Sequence, residues 1–459
     1  MKTEVVDQLI KIVGRDGVLT TPEDLAAYSF DGTFAEGTPG AVVLPRSTDQ
    51  VSQVVRAAAE AHVPIIPRGM GTGLAAGSVS IPGGSLVLCL TRMARILEID
   101  EANATAHVEA GVVTSDLQAA VEERGLFYPP DPSSNRHSTI GGNIACNAGG
   151  PRCLKYGVTG DYVLGLTVVL ADGRILKTGG KAIKDVTGLD LNALFTGSEG
   201  TLGVITEALL RLIPRPRFTQ TAMAEFESLE AASESVSAIL GAGIVPATLE
   251  LMDQTAIRCV EEAFHLGLAT DLEALLILET DGSDEGAVMR EIKAIAGICR
   301  EHAARSVRLA VSAADQTSLW EARRAVAPSL ARRAPNKLGE DITVPRSAIP
   351  EIVRQLRGIS QRHGLPIVIF GHAGDGNLHP NILFDRRQPE QRATMERMVG
   401  EIFAASLALG GTLSGEHGVG LLKRPYLEQA LGPVSMDIQR RIKHALDPEN
   451  LLNPGKLFA

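Results

Sequence analysis

The sequence predicts an α+β protein of two domains, and three observations carry that prediction. Through the first half, helical and strand-like periodicities alternate with glycine turns. Near the middle, Ile213-Pro-Arg-Pro-Arg217 breaks the pattern, because two prolines so close together continue neither a helix nor a central strand. Beyond it, longer helices separate single strands, the mark of helices laid on an antiparallel sheet. The expected domains are 1–214 and 215–459, in keeping with a chain of 459 residues, long for one core.

Each element has a local reason. A short strand is expected over 41–45, then Ser47 with Gln50 as a capping box ahead of Val51, Val54, Val55, Ala58 and Ala59 on one helical face. Strands follow over 63–66, 86–90, 96–100 and 105–109, then a helix over 114–123 closed by Gly125. A strand over 162–170 turns at Asp172-Gly173, and 201–212 is a further apolar run. In the second half, helices are expected over 229–240, 284–303, 317–332 and 348–363, with strands over 275–279 and 365–370.

Composition narrows the function classes. Hydrophobic residues make up 44% and charged residues 21%, so a sizeable core forms and disorder is excluded. The net charge of -10 repels phosphate backbones, and 4% aromatic residues is too few for a base-stacking platform, so nucleic acid is not expected as a partner. An anionic substrate would need a local cation. Five cysteines without a CxxC pair exclude a disulfide framework, a zinc ribbon or an iron–sulfur cluster and point to a reducing compartment. The first 14 residues are amphipathic and carry Glu4 and Asp7, and no apolar run reaches the roughly 20 residues of a membrane span. A cytoplasmic location is expected, with any membrane association peripheral and made through an electron-acceptor partner.

The loop Pro67-Arg-Gly-Met-Gly-Thr-Gly73 follows a strand, and Gly71-x-Gly73-x-x-Ala76 fits a loose dinucleotide pattern. That pattern requires the loop to open a helix and an acid to follow about 20 residues on. Here Pro82-Gly-Gly84 and the next strand leave no room for the helix, so a Rossmann site is rejected. A loop of small residues that brings backbone N–H groups close to an anion remains, alongside a plain tight turn. Two further glycine stretches, 138–150 and 197–203, suggest backbone wrapped round a long, flat ligand.

In the second half, apolar β-formers flank Asp375-Gly376, which predicts a two-residue type I′ hairpin. In that register His372 faces His379, Gly371 faces Pro380, and Asn381 shares the face of His379. Both imidazoles can then reach one metal, although a plain polar face explains the pair equally well. Glu416 and His417, in the glycine-flanked loop Ser414-Gly-Glu-His-Gly-Val-Gly420, favour the metal: a His, His, Glu set leaves coordination positions open for catalysis.

The order PRGxGTG, PPDPSS, TIGGNIACNAGG, KYG, GSEGTLGVIT and a C-terminal NPGKLF resembles the FAD-linked 2-hydroxy-acid dehydrogenases with the vanillyl-alcohol-oxidase type of fold. The branch is that of D-lactate and D-2-hydroxyglutarate dehydrogenases and glycolate oxidase flavoprotein subunits. The resemblance implies a two-part FAD-binding domain and an α+β substrate domain with an antiparallel sheet, the C-terminal segment returning to the flavin site. It implies a pyrophosphate on Arg68, Gly69, Gly71, Thr72 and Gly73, with Pro67 also at the cofactor. The flavin ring would lie near Asp131, Pro132, Ser134, Thr139, Gly141, Gly142 and Asn143, with Gly149 and with Tyr156 and Gly157 of the KYG motif at the cofactor too. The adenine side would meet Gly200, Gly203 and Ile205, and Asn453 would complete the set. The first glycine loop has no histidine to tether the flavin, so FAD is expected to be non-covalent.

The same resemblance makes His372, His379 and Glu416 ligands to a divalent metal, Zn2+ first, with Mn2+ and Fe2+ as alternatives, and makes His417 the catalytic base. Asn381 joins the catalytic set. Arg323, in Trp320-Glu-Ala-Arg323, is the choice for the substrate carboxylate, with Arg324 and Arg332 as competitors. The expected reaction is oxidation of D-lactate or glycolate to the 2-oxo acid. A D-2-hydroxyglutarate dehydrogenase and the flavoprotein subunit of a multi-subunit glycolate oxidase are the alternatives. Gly339 stands where the hydroxyglutarate enzymes carry a lysine, which favours a monocarboxylate. A non-catalytic flavin-binding subunit would leave the histidines unexplained. Electrons are expected to leave to a quinone, a cytochrome, an electron-transfer protein, a separate subunit or oxygen, and a homodimer is an open assembly.

Overall fold

The computed structural model describes residues 1–458. Contacts divide the chain into two units that are not consecutive halves. The first takes residues 1–150, 158–215 and the stretch from Glu416 onward; the second takes 151–157 and 216–415.

The first unit contains two main sheets and a short antiparallel pair, Leu126–Phe127 with Ile213–Pro214. In the smaller, Ala41–Val43 and Ile65–Arg68 each pair in parallel with Leu86–Cys89, and Val18–Leu19 pairs antiparallel at the edge. The larger is antiparallel, in the order Ile96–Asp100, Thr105–Glu109, Val204–Arg211, Val163–Val169, Ile175–Lys177. Ser47 Oγ caps the helix Thr48–Glu60 by accepting from Gln50 N at 3.2 Å. Gln50 Oε1 reaches back to Arg46 N at 2.7 Å, one residue before the usual capping-box partner. Val51, Val54, Val55 and Ala58 are fully buried, as the periodicity predicts.

The helix within the second glycine stretch was not legible. The stretch 138–150 contains a helix, Ile140–Cys146, whose Asn147 ends it in the left-handed conformation at φ 51°. A side chain at Gly141 would collide with Ala110, so glycine there serves close packing inside a helix. After the first glycine loop no helix opens, as the sequence predicts, and the chain runs irregularly to Leu86–Cys89.

The second unit is built on one antiparallel sheet, in the order Ala304–Leu309, Phe218–Phe226, Ala274–Gly282, Thr248–Asp253, Ile367–His372, Asn377–Phe384, Asn336–Gly339, with Ile342–Thr343 also on Asn377–Phe384. Met223, Met252, Ile277 and Phe370 point from it into a core shared with the helices Gln254–Phe264 and Ala313–Arg333. The alternating residues Ala222, Ala224, Leu276 and Leu278 are equally buried, so both faces are covered. Ser228, Asp284 and Ser312 cap the helices Leu229–Gly241, Glu285–Glu301 and Ala313–Arg333. Among the described residues, no helix is long and apolar enough to cross a membrane.

Candidate active site

The first unit offers a cradle of backbone. Side chains at Gly69 and Gly71 would strike Thr139 and the Arg68 guanidinium, and Gly71 has φ 73°. Arg68 is buried and folds under its own loop, Nη1 donating to Phe30 O at 2.8 Å. Among the described residues, no chain acceptor takes the N–H groups of residues 70–74. A row of unspent N–H groups on a loop with no room for a side chain at Gly69 or Gly71 fits a diphosphate.

Of the other implied flavin residues in this unit, Thr139 lies against Gly69 and Gly200 against Pro67. Gly150 is pressed against Asp131 O, and the turn that follows is closed by Asn135 N on Pro132 O and Ser138 N on Ser134 O. Thr139 precedes the helix that holds Gly141, Gly142 and Asn143, and Asn143 Nδ2 donates to Thr114 Oγ1 at 2.8 Å. Gly149 is buried beside it. Gly200, at φ 71°, leaves room for Pro67; Gly203 does so for Val168, the register partner of Ile205. Asn453 Nδ2 ties Gly77 O at 3.0 Å to Glu199 O at 2.7 Å, and its buried Oδ1 accepts nothing among the described residues. An acceptor left over at that position suits a ligand's donor.

The second unit offers a cluster of side chains. Strand pairing sets Glu250 opposite His372. Glu250 is fully buried; one carboxylate oxygen meets His372 Nδ1 and the other accepts from Arg323 Nε at 2.6 Å. Burial raises the Glu250 pKa, but the His372 imidazole and the Arg323 guanidinium more than reverse this and hold it at about 2. An ionised carboxylate on Nδ1 leaves Nε2 as the ligand atom, the usual backing for a metal-binding histidine. His379 Nε2 lies 3.4 Å from His372 Nε2. Two imidazoles about 2.0–2.1 Å from one tetrahedral ion would stand roughly this far apart, so the pair fits a metal such as zinc.

The hairpin register differs from the expected one by two residues. His372 pairs with Asn377 and Phe370 with His379, and the turn is the four residues 373–376. Gly376 has φ 85°, but Asp375 is not in the left-handed region, so the type I′ turn does not form. Tertiary packing explains the wider turn: Gly374 sits against Leu154, Gly376 against Val344 O. Pro380 consequently faces Ile369, not Gly371. A two-residue slip preserves the face, so His372 and His379 still meet, as diagonal neighbours.

Arg323 is 13% exposed and stacks 4.7 Å from the Phe370 ring centre. With Nε committed to Glu250, its Nη groups are those that can meet a substrate carboxylate. Trp320, one helical turn earlier, donates to Glu279 at 2.9 Å. Of the competitors, Arg324 bonds Thr317 O and Arg332 bonds Ala263 O, both at exposed sites. Asn381 Nδ2 donates to His379 O at 2.9 Å, and a side chain at its register partner Gly339 would meet Asn381 Oδ1 at 2.8 Å. Tyr156 lies in the second unit with Gly157; its hydroxyl donates to Asp281 Oδ2 at 2.8 Å, and Lys155 Nζ to Asp281 O at 2.7 Å.

Two carboxylates escaped the sequence reading. Glu250 had a signal, an acid within the alternating Thr248-Leu-Glu-Leu-Met-Asp253. Asp341 had none. It lies 3.7 Å from His379 Nδ1 and accepts from Asn377 Nδ2 at 2.5 Å, Ser414 Oγ at 2.7 Å and Gly415 N at 2.9 Å. Glu416 and His417 open the last segment of the first unit, one and two peptide bonds beyond that anchored glycine. His417 Nε2 is 3.8 Å from Glu416 Oε1.

Residues 39–179 match a family described as "FAD binding domain", and residues 215–457 match "FAD linked oxidases, C-terminal domain". The chain is 47% identical to glycolate oxidase subunit GlcD of Bacillus subtilis (strain 168), covering 99% of this chain and 97% of the relative. It is 35% identical to D-lactate dehydrogenase of Anaerostipes hadrus, over 92% and 90%. The fold is similar to that of p-cresol methylhydroxylase with substrate bound, with a TM-score of 0.83, 18% identity, and coverage of 99% of this chain and 96% of that one. The N–H cradle, the two domain matches in succession and the full-length likeness to these relatives agree. The chain belongs to the FAD-linked oxidases and is an FAD-dependent oxidoreductase with the vanillyl-alcohol-oxidase type of fold.

Proposed function

We propose that the chain oxidises a small 2-hydroxy acid, D-lactate or glycolate, to the corresponding 2-oxo acid. The observation that carries this reading is the Glu250 carboxylate, which joins a histidine suited to ligate a metal to an arginine suited to bind a carboxylate. A 2-hydroxy acid presents its hydroxyl and carboxylate on adjacent carbons, so one rigid bridge can set both recognition groups. The names of the full-length relatives, glycolate oxidase subunit and D-lactate dehydrogenase, support the substrate class.

In this reading FAD sits non-covalently on the glycine loops, through the residues named above from Pro67 to Asn453. His372, His379 and Glu416 hold a divalent cation, zinc first. When bound, FAD supplies the hydride acceptor and the cation a Lewis acid that favours the deprotonated hydroxyl. Arg323 orients the substrate through its carboxylate. His417 takes the hydroxyl proton, as an imidazole can near neutral pH. Asn381 fixes the strand beside His379 through its bond to the His379 carbonyl.

Gly339 favours a monocarboxylate, because the strand there has no room for a side chain unless Asn381 moves. The subunit designation of the glycolate oxidase relatives supports a second protein as electron acceptor. The test is anaerobic flavin bleaching with a panel of D- and L-2-hydroxy acids, before and after treatment with a chelator. Bleaching by D-lactate or glycolate that is lost with the metal is expected. Bleaching unaffected by metal removal, or by none of the panel, contradicts the proposal.

A further inference from the structure

The loop carrying Glu416 and His417 is held, on its far side, by a carboxylate that the flavin motifs do not explain. Glu199 lies inside Gly197-Ser-Glu-Gly200 and is itself in the left-handed region, at φ 51°. That conformation is uncommon for a glutamate and needs a reason in its surroundings. Its carboxylate is buried and accepts from two consecutive backbone N–H groups, Val419 N at 2.7 Å and Gly420 N at 2.8 Å. A side chain at Gly418 would lie 3.0 Å from Glu199 Oε1, and one at Gly420 would strike Ala75 O. Leu421 N continues the seam by donating to Ala75 O at 2.9 Å.

We propose that Glu199 is a positioning residue for His417, fixing the loop that bears it by gripping the backbone two and three residues downstream. The inference rests on the reading of His417 as the base. Two N–H groups converging on one carboxylate define the direction of the chain at residue 419, and hence the exit of His417 from its turn. Asn453, which bonds the backbone oxygens of both Glu199 and Gly77, ties the same carboxylate's backbone to the end of the glycine loop. Burial raises the Glu199 pKa, opposed by the two N–H groups and by Lys423 and Lys456. A glutamine is a sharp probe. Its amide oxygen can accept one of the two N–H groups, and its NH2 opposes the other donor with a donor.

The experiment compares wild type, Glu199→Gln and His417→Asn as FAD-loaded proteins. Hydrogen exchange of the peptide containing Val419 and Gly420 reads the grip directly, apart from turnover. In Glu199→Gln this exchange is expected to quicken about 10- to 100-fold. Anaerobic flavin reduction should slow by roughly the same factor, KM staying within about threefold and FAD per chain unchanged. Glu199→Asp, which keeps the charge but withdraws it by one methylene, serves if the glutamine variant does not fold and should show the same pattern. Unchanged exchange, or flavin reduction within about threefold of wild type, overturns the proposal. Wild-type rates in His417→Asn would instead remove the base assignment, while the exchange result still decides whether Glu199 holds the loop.

Discussion

The glycine loop of the first unit and the strand site of the second solve opposite problems. At Gly69 and Gly71 the chain dispenses with side chains, and the backbone N–H groups of residues 70–74 meet no chain acceptor among the described residues. At Glu250, His372 and Arg323 it buries ionisable side chains and compensates each with another. The first depends on φ and on the lack of a Cβ; the second depends on strand register and charge pairing. Damage to one should therefore leave the other intact, and substitutions at His379 and Gly71 test that separation.

The largest effect is expected from His379→Ala, which removes one imidazole from the pair. Flavin reduction by substrate should fall about 10²–10³-fold, read by anaerobic stopped flow, while FAD content stays at wild-type level. Loss of FAD in this variant would show that the two regions are not separate. Glu250→Gln is milder. It removes the charge that backs His372 and leaves Arg323 with a weaker partner, so metal affinity should drop about 10–100-fold in a chelator competition. Gly71→Ala reverses the pattern. Its φ of 73° and the Arg68 side chain in the way should weaken FAD binding about tenfold or more, with metal content unchanged.

The smallest effect lies on the strand of Glu250 itself. Asp253 is buried and accepts from Ala256 N at 2.8 Å and Ile369 N at 3.3 Å. Burial lifts its pKa to about 6, and these two N–H bonds offset only part of that. The folded chain thus binds this proton more tightly than the unfolded chain. Its contribution to stability declines as pH rises from about 4 through about 6, and is flat above. Asp253→Asn keeps the cap without the charge. Its unfolding temperature should exceed wild type by a few degrees at pH 8 and converge with it near pH 4. A gain that persists at pH 4 would place its origin elsewhere.

The same contrast explains what could be read from the sequence. Backbone sites leave glycines at fixed spacings, and caps such as Ser47 and Ser228 sit beside the helices they start, so the glycine loops and helices such as Thr48–Glu60 and Leu229–Gly241 were legible, whereas Gln254–Phe264 and Leu427–Leu446 were not. The hairpin was legible in face but not in register. Asp375-Gly376 signals a two-residue turn only if nothing else contacts it, and Leu154 and Val344 do. Glu250 lies 122 residues before the histidine it backs, and Asp341 36 before Asn377; no local pattern connects them. The assignment of 151–157 to the second unit, away from its sequence neighbours, is likewise a tertiary fact with no periodic signature.

X-ray absorption at the metal edge of the purified, FAD-loaded protein tests the central claim most directly. About one divalent ion per chain is expected, with two imidazole nitrogens near 2.0–2.1 Å and at least one oxygen ligand, and loss of one imidazole shell in His379→Ala. A protein that oxidises 2-hydroxy acids with no stoichiometric metal, or with a metal that has no imidazole ligand, would contradict it.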